Sequence, residues 1–205
     1  ESAVREGAGL LVTLGERAAW PDGSPDLLPG RLGGTTDRSG TRGGTLGFID
    51  FSHPVFEIFS RPRSGDLTAG RMLRYRQLSV SGATIARFDD GAAALAERRV
   101  GRGTVLAWTT TFDSYWNDLA LKPVFVPFLH QTVRHLAHYV EPKVWYTAGE
   151  GIDPTARSVS RAFSEDASGT FVVVRPDGGS DTFEPRDNER AYDLRTRGSM
   201  KSAGP

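Results

Sequence analysis

Cysteine is absent from this sequence of 205 residues. Its absence excludes disulfide bonds, thiolate metal sites and a cysteine nucleophile, but it does not indicate a compartment, because many cytosolic and many periplasmic proteins lack cysteine. A net charge is also absent, since 25 basic residues balance 25 acidic ones. A chain without an overall positive field is not expected to bind nucleic acid or an anionic membrane.

Long apolar runs are missing as well. No stretch approaches the roughly 18 consecutive apolar residues of a membrane span, so we expect no direct membrane span. The N-terminus has neither the charged nor the apolar region of a signal peptide. It starts with Glu1 rather than Met, and residues 2–7 look like a helix that a glycine ends. We therefore expect a piece cut from a longer protein.

What is present indicates an α/β fold. The apolar run of residues 9–14 lies between glycines, as is typical of a strand covered on both faces in a parallel sheet. Residues 84–88 and 92–99 predict a hairpin, because Asp89-Asp90-Gly91 supplies a tight turn between them. Residues 104–108 then form a short apolar run that predicts a buried strand.

The remaining residues before Pro142 predict further elements. Residues 46–51 and 71–80 are strand candidates, whereas residues 20–45 crowd glycine and proline too densely for a central strand and predict a covering loop. Ser52 is a candidate N-cap for a short helix that ends at Phe59. Apolar residues recur at steps of three and four over residues 123–140, which predicts the main helix.

Four histidines raise the question of a metal site. Of the three on the main helix, His130, His135 and His138, only the last two share a face, and no carboxylate joins them at a diagnostic spacing such as His-Glu-x-x-His. His53 has no visible partner nearby in the sequence, so we interpret it as a loop or cap residue. We expect neither a metal nor a cofactor.

Polar residues follow two of the predicted strands. In open α/β sheets, ligands bind at the carboxyl ends of strands. The candidates for a ligand or partner face are therefore Gly15, Glu16, Arg17, Thr110, Asp113, Trp116 and Asn117. The simpler interpretation of the last four is structural: the polar side chains cap the following segments and satisfy backbone donors, and Trp116 covers the core.

A basic stripe also requires interpretation. Arg71, Arg74 and Arg76 fall on one predicted strand. We interpret them as a solvated strand edge, with an anion or partner patch as the alternative.

The pattern changes after Pro142. Short strand candidates at residues 145–146, 158–160, 170–174, 182–183 and 191–194 alternate with turn sequences. We therefore expect an α/β domain over residues 1–142, a β-rich, partly sandwich-like module over 143–197, and a disordered tail over 198–205.

Several segments together resemble a known family. They are EGAGLLV at residues 6–12, SHPVF at 52–56, the stretch 91–108, and WNDLALKPVFVP at 116–127. In these pieces residues 1–142 resemble the class I glutamine amidotransferase-like domain. More narrowly, they look like the version found in large bacterial membrane-anchored proteins of the BatA and von Willebrand factor A type.

The resemblance implies a flavodoxin-like layered α/β sheet that lacks its first strands, followed by a β-rich module held outside the cytoplasm. It therefore implies a periplasmic or extracytoplasmic location for the parent protein. Enzymes of this family place a cysteine on a sharp turn after a strand, with histidine and glutamate completing a triad. This chain has no cysteine, and at Gly15-Glu16-Arg17, the nearest equivalent turn, a carboxylate cannot replace a thiolate nucleophile.

Two functions remain open from the sequence. The favoured one is a noncatalytic interaction or scaffold domain of a larger bacterial envelope protein, which binds a protein partner or the rest of the parent chain. The alternative is a hydrolase that uses Ser52 or Ser114 as nucleophile with His53 or a histidine of the helix. A serine hydroxyl bonded to a histidine that a carboxylate orients would favour the hydrolase.

Overall fold

The computed structural model describes residues 1–19, 27–141, 151–152, 171–174, 179–183 and 192–193. The chain divides into two units, Glu1–Tyr139 and Val140–Pro205. The boundary expected at residue 142 lies close to this division. Among the described residues, the first unit contains two helices and the main sheet, and the second contains short strands.

The elements of the first unit are helices α1 (Ser2–Arg5) and α2 (Phe125–Leu136) and strands β1 (Gly9–Thr13), β2 (Gly30–Asp37), β3 (Leu46–Ile49), β4 (Arg74–Val80), β5 (Ala83–Phe88), β6 (Ala93–Val100) and β7 (Gly103–Trp108). Single 3-10 turns lie at Glu57–Ser60, Leu67–Ala69 and Leu119–Leu121. The unit is therefore a mixed α/β structure whose core is mostly sheet, with few helices. This confirms the α/β expectation at that coarse level.

The main sheet has five strands in the order β1-β7-β6-β5-β3. β1 pairs in parallel with β7, and the other neighbours pair antiparallel. The predicted hairpin is confirmed as β5 and β6, and Gly91 takes the positive φ of 86° that its turn requires. Residues 9–14 were predicted to belong to a parallel sheet. In the main sheet, only the pair of β1 and β7 is parallel.

Both faces of the main sheet are covered. On one face, Leu95, Leu106 and Trp108 pack with residues of α2 such as Phe128 and Leu136. On the other face, Ala96 and Ala107 pack with a second cluster, formed by Leu14, Leu28 and Leu78. β7 lies between β1 and β6, and all six of its residues are buried, so the strand predicted as buried is confirmed.

β2 and β4 form a separate antiparallel ribbon. The prediction of a loop over residues 20–45 is therefore wrong for residues 30–37, and residues 20–26 lie outside the described part of the chain. The glycines that suggested a loop have other uses here: the register shifts between Leu32 and Thr35, a bulge that takes up Gly33 and Gly34, and a Cβ at Gly30 would overlap the backbone of Ser79.

One further expectation is confirmed in part and two need correction. β1 lies at the edge of the sheet with one neighbour, but it is partly covered on both faces, because Leu11 packs against the cluster under α2 and Val12 against the cluster on the other face. α2 covers twelve residues of the predicted 123–140. The segment after Ser52 forms turns and one 3-10 turn instead of a capped helix; Ser52 itself is the donor, to Asp50 Oδ1 at 2.6 Å.

In the second unit, β9 (Phe171–Val174) pairs with β10 (Ser180–Phe183), and β8 (Gly151–Ile152) pairs with β11 (Tyr192–Asp193), both antiparallel. The strands predicted at 170–174, 182–183 and 191–194 are confirmed within these bounds. Those predicted at 145–146 and 158–160, and the predicted tail at 198–205, lie outside the described residues.

The C-terminal end of α2 packs closely against the backbone of Gly9 in β1. A Cβ on Gly9 would overlap the carbonyl group of Leu136, the last residue of the helix. We predict that Gly9→Ala lowers the free energy of unfolding by about 2–4 kcal/mol, because the helix must shift away from the sheet. The matched control is Gly40→Ala in an exposed turn, where a Cβ meets no atom within 4 Å. Urea unfolding measures both, and equal losses would contradict the prediction.

An ion-pair group joins the ribbon to the main sheet. Arg38, after β2, donates to Asp89 Oδ1 at 2.5 Å and to Asp89 Oδ2 at 3.2 Å. Asp89 lies in the turn between β5 and β6, and its neighbour Asp90 accepts from the hydroxyl of Tyr75 on β4. The hydrogen bond from Arg38 holds the pKa of Asp89 below its usual value of 3.8. The turn of the hairpin is therefore held from both strands of the ribbon.

Asp89→Asn tests this group through pH. Because the pKa of Asp89 is lower in the folded chain, the pair stabilises fully above the unfolded pKa, and that contribution is lost as pH falls through the folded pKa. We expect Asp89→Asn to cost about 1 kcal/mol or less at pH 7, since the pair is partly exposed. The difference from the parent protein should vanish at a pH below the lowered pKa. Urea unfolding at the two pH values measures it, and a loss that persists in acid would contradict it.

Candidate functional site

The loop that follows β1 carries the first three residues of the predicted ligand face. Glu16 and Arg17 are exposed and Gly15 is half-buried. The backbone of this loop is held by Arg76 of β4, whose Nη1 donates to the carbonyl oxygens of Gly15 at 3.2 Å and Ala18 at 3.1 Å. The loop is therefore fixed by the ribbon, and its charged side chains extend into solvent.

The other four predicted residues lie beyond β7. Thr110 and Asn117 are buried, and Asn117 Nδ2 donates to Thr110 Oγ1 at 3.2 Å and to the carbonyl oxygen of Thr111 at 2.5 Å. Exposed Asp113 accepts backbone N–H groups of Tyr115 at 2.9 Å and of Trp116 at 3.2 Å. Trp116 is 5% exposed.

These contacts match the structural interpretation of the segment. Thr110 Oγ1 also donates to the carbonyl oxygen of Arg74 at 2.8 Å, and Asn117 Oδ1 accepts from the N–H of Leu119 at 3.1 Å. The polar groups of Thr110 and Asn117 thus hold the chain after β7 against β4. The ligand-face role of the seven residues stays a prediction, and its exposed members are Glu16, Arg17 and Asp113.

The basic stripe is engaged in contacts within the protein. Arg76 donates to the carbonyl oxygen of Gly33 through Nε at 3.1 Å and Nη2 at 2.7 Å, in addition to its bonds to the loop after β1. Arg74 pairs with Asp37 at 2.8 Å across the ribbon. Arg71 donates from Nε to the carbonyl oxygen of Arg42 at 3.4 Å. Arg74 and Arg76 therefore tie strands and loops together.

A different group of titratable side chains meets below the surface. His53 comes from the turn after β3, Glu97 from the middle of β6, and His135 from the last turn of α2. The side chains are 12%, 17% and 17% exposed. Glu97 lies on the same face of β6 as Leu95 because residues two apart in a strand point the same way. It therefore stands at the rim of the core that α2 covers.

One carboxylate oxygen joins the two imidazoles. Glu97 Oε2 lies 3.2 Å from His53 Nε2 and 2.5 Å from His135 Nε2. The two rings approach edge to face with their centroids 4.7 Å apart. The backbone N–H of Val55 donates to His53 Nδ1 at 3.3 Å, so the proton of neutral His53 lies on Nε2, from which it is donated to Glu97.

The electrostatics of the cluster favour an ionised Glu97. Burial on its own would raise the pKa of this carboxyl, but hydrogen bonds from His135 and His53 outweigh burial and bring the pKa to about 2. A carboxylate that is fully charged at neutral pH and flanked by two imidazoles is an arrangement that orients histidines or holds a metal ion. We call His53, Glu97 and His135 the His-Glu-His cluster.

The His-Glu-His cluster was not predicted from the sequence. A metal site is recognised in a sequence by ligands at short spacing, whereas Glu97 is separated from His135 by 38 positions and from His53 by 44. One signal was present: in the predicted hairpin arm of residues 92–99, Glu97 lies on the same side as Ala93 and Leu95, and a charged residue on an apolar side needs a partner.

The hydrolase alternative depends on a serine next to an oriented histidine. His53 is oriented by Glu97, but its second nitrogen accepts from the backbone of Val55. The hydroxyl of Ser52 donates to Asp50 instead. Within the described residues, no serine hydroxyl is hydrogen-bonded to a histidine nitrogen. The contacts of Ser52 and His53 therefore do not form a serine–histidine pair.

Comparisons with known proteins concern the fold. No model of a known protein family matches the sequence, and no curated protein matches it. The solved structure of the cytoplasmic protein STM3548 from Salmonella typhimurium is similar, with a TM-score of 0.53 and 15% identity, over 65% of this chain and 57% of that chain. For the cytoplasmic protein STM1381 from Salmonella typhimurium LT2, the TM-score is 0.46 and the identity 18%, over 66% of this chain and 55% of that chain. This chain thus spans little more than half of either protein.

These comparisons correct the predicted location. The periplasmic, membrane-anchored assignment came only from the family resemblance, with no residue of this chain to support it independently. STM3548, which shares the fold, is named a cytoplasmic protein, and neither of these two structures is named as a protein of the BatA or von Willebrand factor A type. The periplasmic and membrane-anchored predictions are therefore wrong. In the part of the chain that the structure describes, no helix has the length and apolar character to cross a membrane.

Asn117→Ala tests whether the predicted ligand face is built for stability. Removing the amide takes away the donor to the carbonyl oxygen of Thr111 and the acceptor of the N–H of Leu119. Because these buried groups then lose a hydrogen bond, we expect a loss of about 2–3 kcal/mol in the free energy of unfolding. Glu16→Gln, an exposed change on the same predicted face, should alter stability by less than about 0.5 kcal/mol. Urea unfolding of both variants measures this. A small effect of Asn117→Ala would show that the amide is free for another role.

Proposed function

We infer that this chain is a noncatalytic interaction domain of a larger bacterial protein. The observation that supports this most directly is an apolar surface on α2. Val126 is 71% exposed and Val133 is 55% exposed. They lie seven residues apart, two helical turns, and therefore on one face. Leu121, in the 3-10 turn before the helix, is also largely exposed. We call these three residues the α2 stripe.

The α2 stripe differs from an ordinary solvated helix face. Solvent-exposed faces usually carry charged and polar residues. This face carries the exposed His130 between Val126 and Val133, but two largely exposed valines on one helix face are more typical of a protein contact surface. The opposite side of α2 is packed into the core through Phe128, Thr132 and Leu136. The helix is thus apolar on two sides, and its core packing accounts for only one of them.

The charge of α2 suggests the chemistry of the partner. The sequence of the helix, Phe125–Leu136, contains no acidic residue and carries Arg134 in its last turn, whereas His135 is engaged by Glu97. An apolar protein surface with an acidic rim would complement it. We assign this partner to a protein segment outside the chain, either in the parent protein or in a separate one.

The absence of cysteine supports the noncatalytic part of the proposal. There is no cysteine in the sequence, and the side chains of Thr110 and Asn117 beyond β7 are hydrogen-bonded to backbone groups. The finer fold assignment belongs here as well: we propose that the first unit is a divergent flavodoxin-like, glutamine amidotransferase-like domain. The parallel pairing of β1 with β7 supports it. A fold of that kind without its nucleophile has no amide chemistry to perform.

Photo-crosslinking tests the interaction. A benzoylphenylalanine at position 126 of the protein expressed in its own cells is expected to give an adduct with one protein segment, identifiable by mass spectrometry. The same probe at Arg31, exposed on β2, is the matched control. Adding Val133→Glu should abolish the adduct at 126, because it places a charge in the centre of the contact. No adduct at 126, or one that survives Val133→Glu, would contradict the proposal.

A separate assay tests the noncatalytic part. A fluorophosphonate probe, which labels activated serines, is expected to leave Ser52 and Ser114 unmodified in the purified chain, and no ammonia should be released from glutamine. Selective labelling of either serine that heat denaturation removes would favour the hydrolase alternative instead.

A further inference from the structure

The His-Glu-His cluster offers three metal-ligand atoms from three separate elements. One ligand atom from each of His53, Glu97 and His135 lies within 4.8 Å of the other two. We propose that the cluster binds one divalent transition-metal ion, with Zn²⁺ the best match. This site is independent of the α2 stripe and of any partner that the stripe binds.

The donor types fit a zinc-like ion. Two neutral imidazoles with one carboxylate form a His₂Glu set, which leaves one position of a tetrahedral ion for water or another ligand. Oxygen-preferring ions such as Mg²⁺ and Ca²⁺ favour carboxylates, carbonyls and water over imidazole. A doubly charged ion would also remain paired with the carboxylate that the protein has already buried.

The spacing of the donors is close to what an ion requires. Ligands about 2.0–2.1 Å from a tetrahedral ion lie about 3.3 Å from one another. The distance from His53 Nε2 to Glu97 Oε2, 3.2 Å, already has that value, while the 2.5 Å contact of His135 must open. Both Glu97 oxygens can rotate toward the ion, and His135 lies in the last turn of α2, so small side-chain movements suffice.

The backbone around the cluster is preorganised. Glu97 lies on β6, a strand paired on both sides, with β5 and with β7. His53 is held in its turn by its N–H bond to the carbonyl of Asp50 at 3.2 Å and by Phe56 N–H, which donates to the carbonyl of His53 at 2.8 Å. Val55 and Phe56, next along the chain, are fully buried and anchor the turn.

One contact must be given up on binding. With the metal on Nε2, neutral His53 carries its proton on Nδ1, which then no longer accepts from the N–H of Val55. Losing that bond, 3.3 Å long, leaves the N–H of Val55 and the Nδ1–H of His53 facing each other as two donors without an acceptor. This costs affinity, and we therefore expect the ion to bind reversibly and to be removed by a strong chelator.

Cobalt provides the direct test. Adding Co²⁺ to the chelator-treated full chain, free of any histidine tag, is expected to produce visible d–d bands typical of a four-coordinate ion, and Zn²⁺ should displace them at one equivalent per chain. Zn²⁺ should also raise the melting temperature of the parent protein, since it binds the folded state. Absence of the bands, or of the rise in melting temperature, would overturn the proposal.

Variants identify the ligands. Glu97→Gln keeps a hydrogen-bond acceptor for both histidines, and His135→Ala removes one ligand; each should weaken Co²⁺ affinity at least about 10-fold, as even outer-shell changes do. His130→Ala is the matched control, an exposed histidine on the same helix outside the cluster. Circular dichroism checks folding, and Glu97→Gln decides if His135→Ala does not fold. Unchanged affinity in Glu97→Gln, or an equal loss in His130→Ala, would refute the assignment.

Discussion

The burial of β7 is the constraint on which the first unit depends. Its residues contact the layer under α2 on one side and the cluster of Leu14, Leu28 and Leu78 on the other. Trp108, which is fully buried, packs against Phe112 and Phe128. A strand with two covered faces needs a neighbour at each edge, because an unpaired backbone in the core is costly. β1 and β6 supply these neighbours, one parallel and one antiparallel.

The same constraint positions the candidate sites. Because β7 is buried, β6 next to it is mostly buried too, and Glu97 can enter that layer only with partners for its charge. The partners come from the two elements on that face, α2 and the turn after β3. Beyond β7, the buried side chains of Thr110 and Asn117 also need partners. They find them in backbone groups of β4 and of the segment that follows β7.

The two sites proposed for binding lie outside the hydrophobic core of the first unit. The core is filled by hydrophobic side chains. Of the arginines of β4, Arg76 donates to backbone carbonyl oxygens and Arg74 pairs with Asp37. Two features of the described residues are proposed for binding: a helix face that carries exposed valines, and a carboxylate between two imidazoles. The first suits a protein surface and the second an ion, and neither needs the nucleophile of an amide-handling enzyme.

The amino-acid pattern by itself determined the local elements: the hairpin of β5 and β6, the buried run of β7, and the helix α2 follow from turn residues and periodicity, which act over a few positions. Only the tertiary structure decided which residues far apart in the sequence come into contact. Gly30–Asp37 became a strand because β4 supplied a partner and a bulge absorbed its glycines, while the edge position of β1 was set by strand order. The His-Glu-His cluster needed residues 53, 97 and 135 to meet, and no short-range spacing encodes a contact formed by the folding of a sheet against a helix.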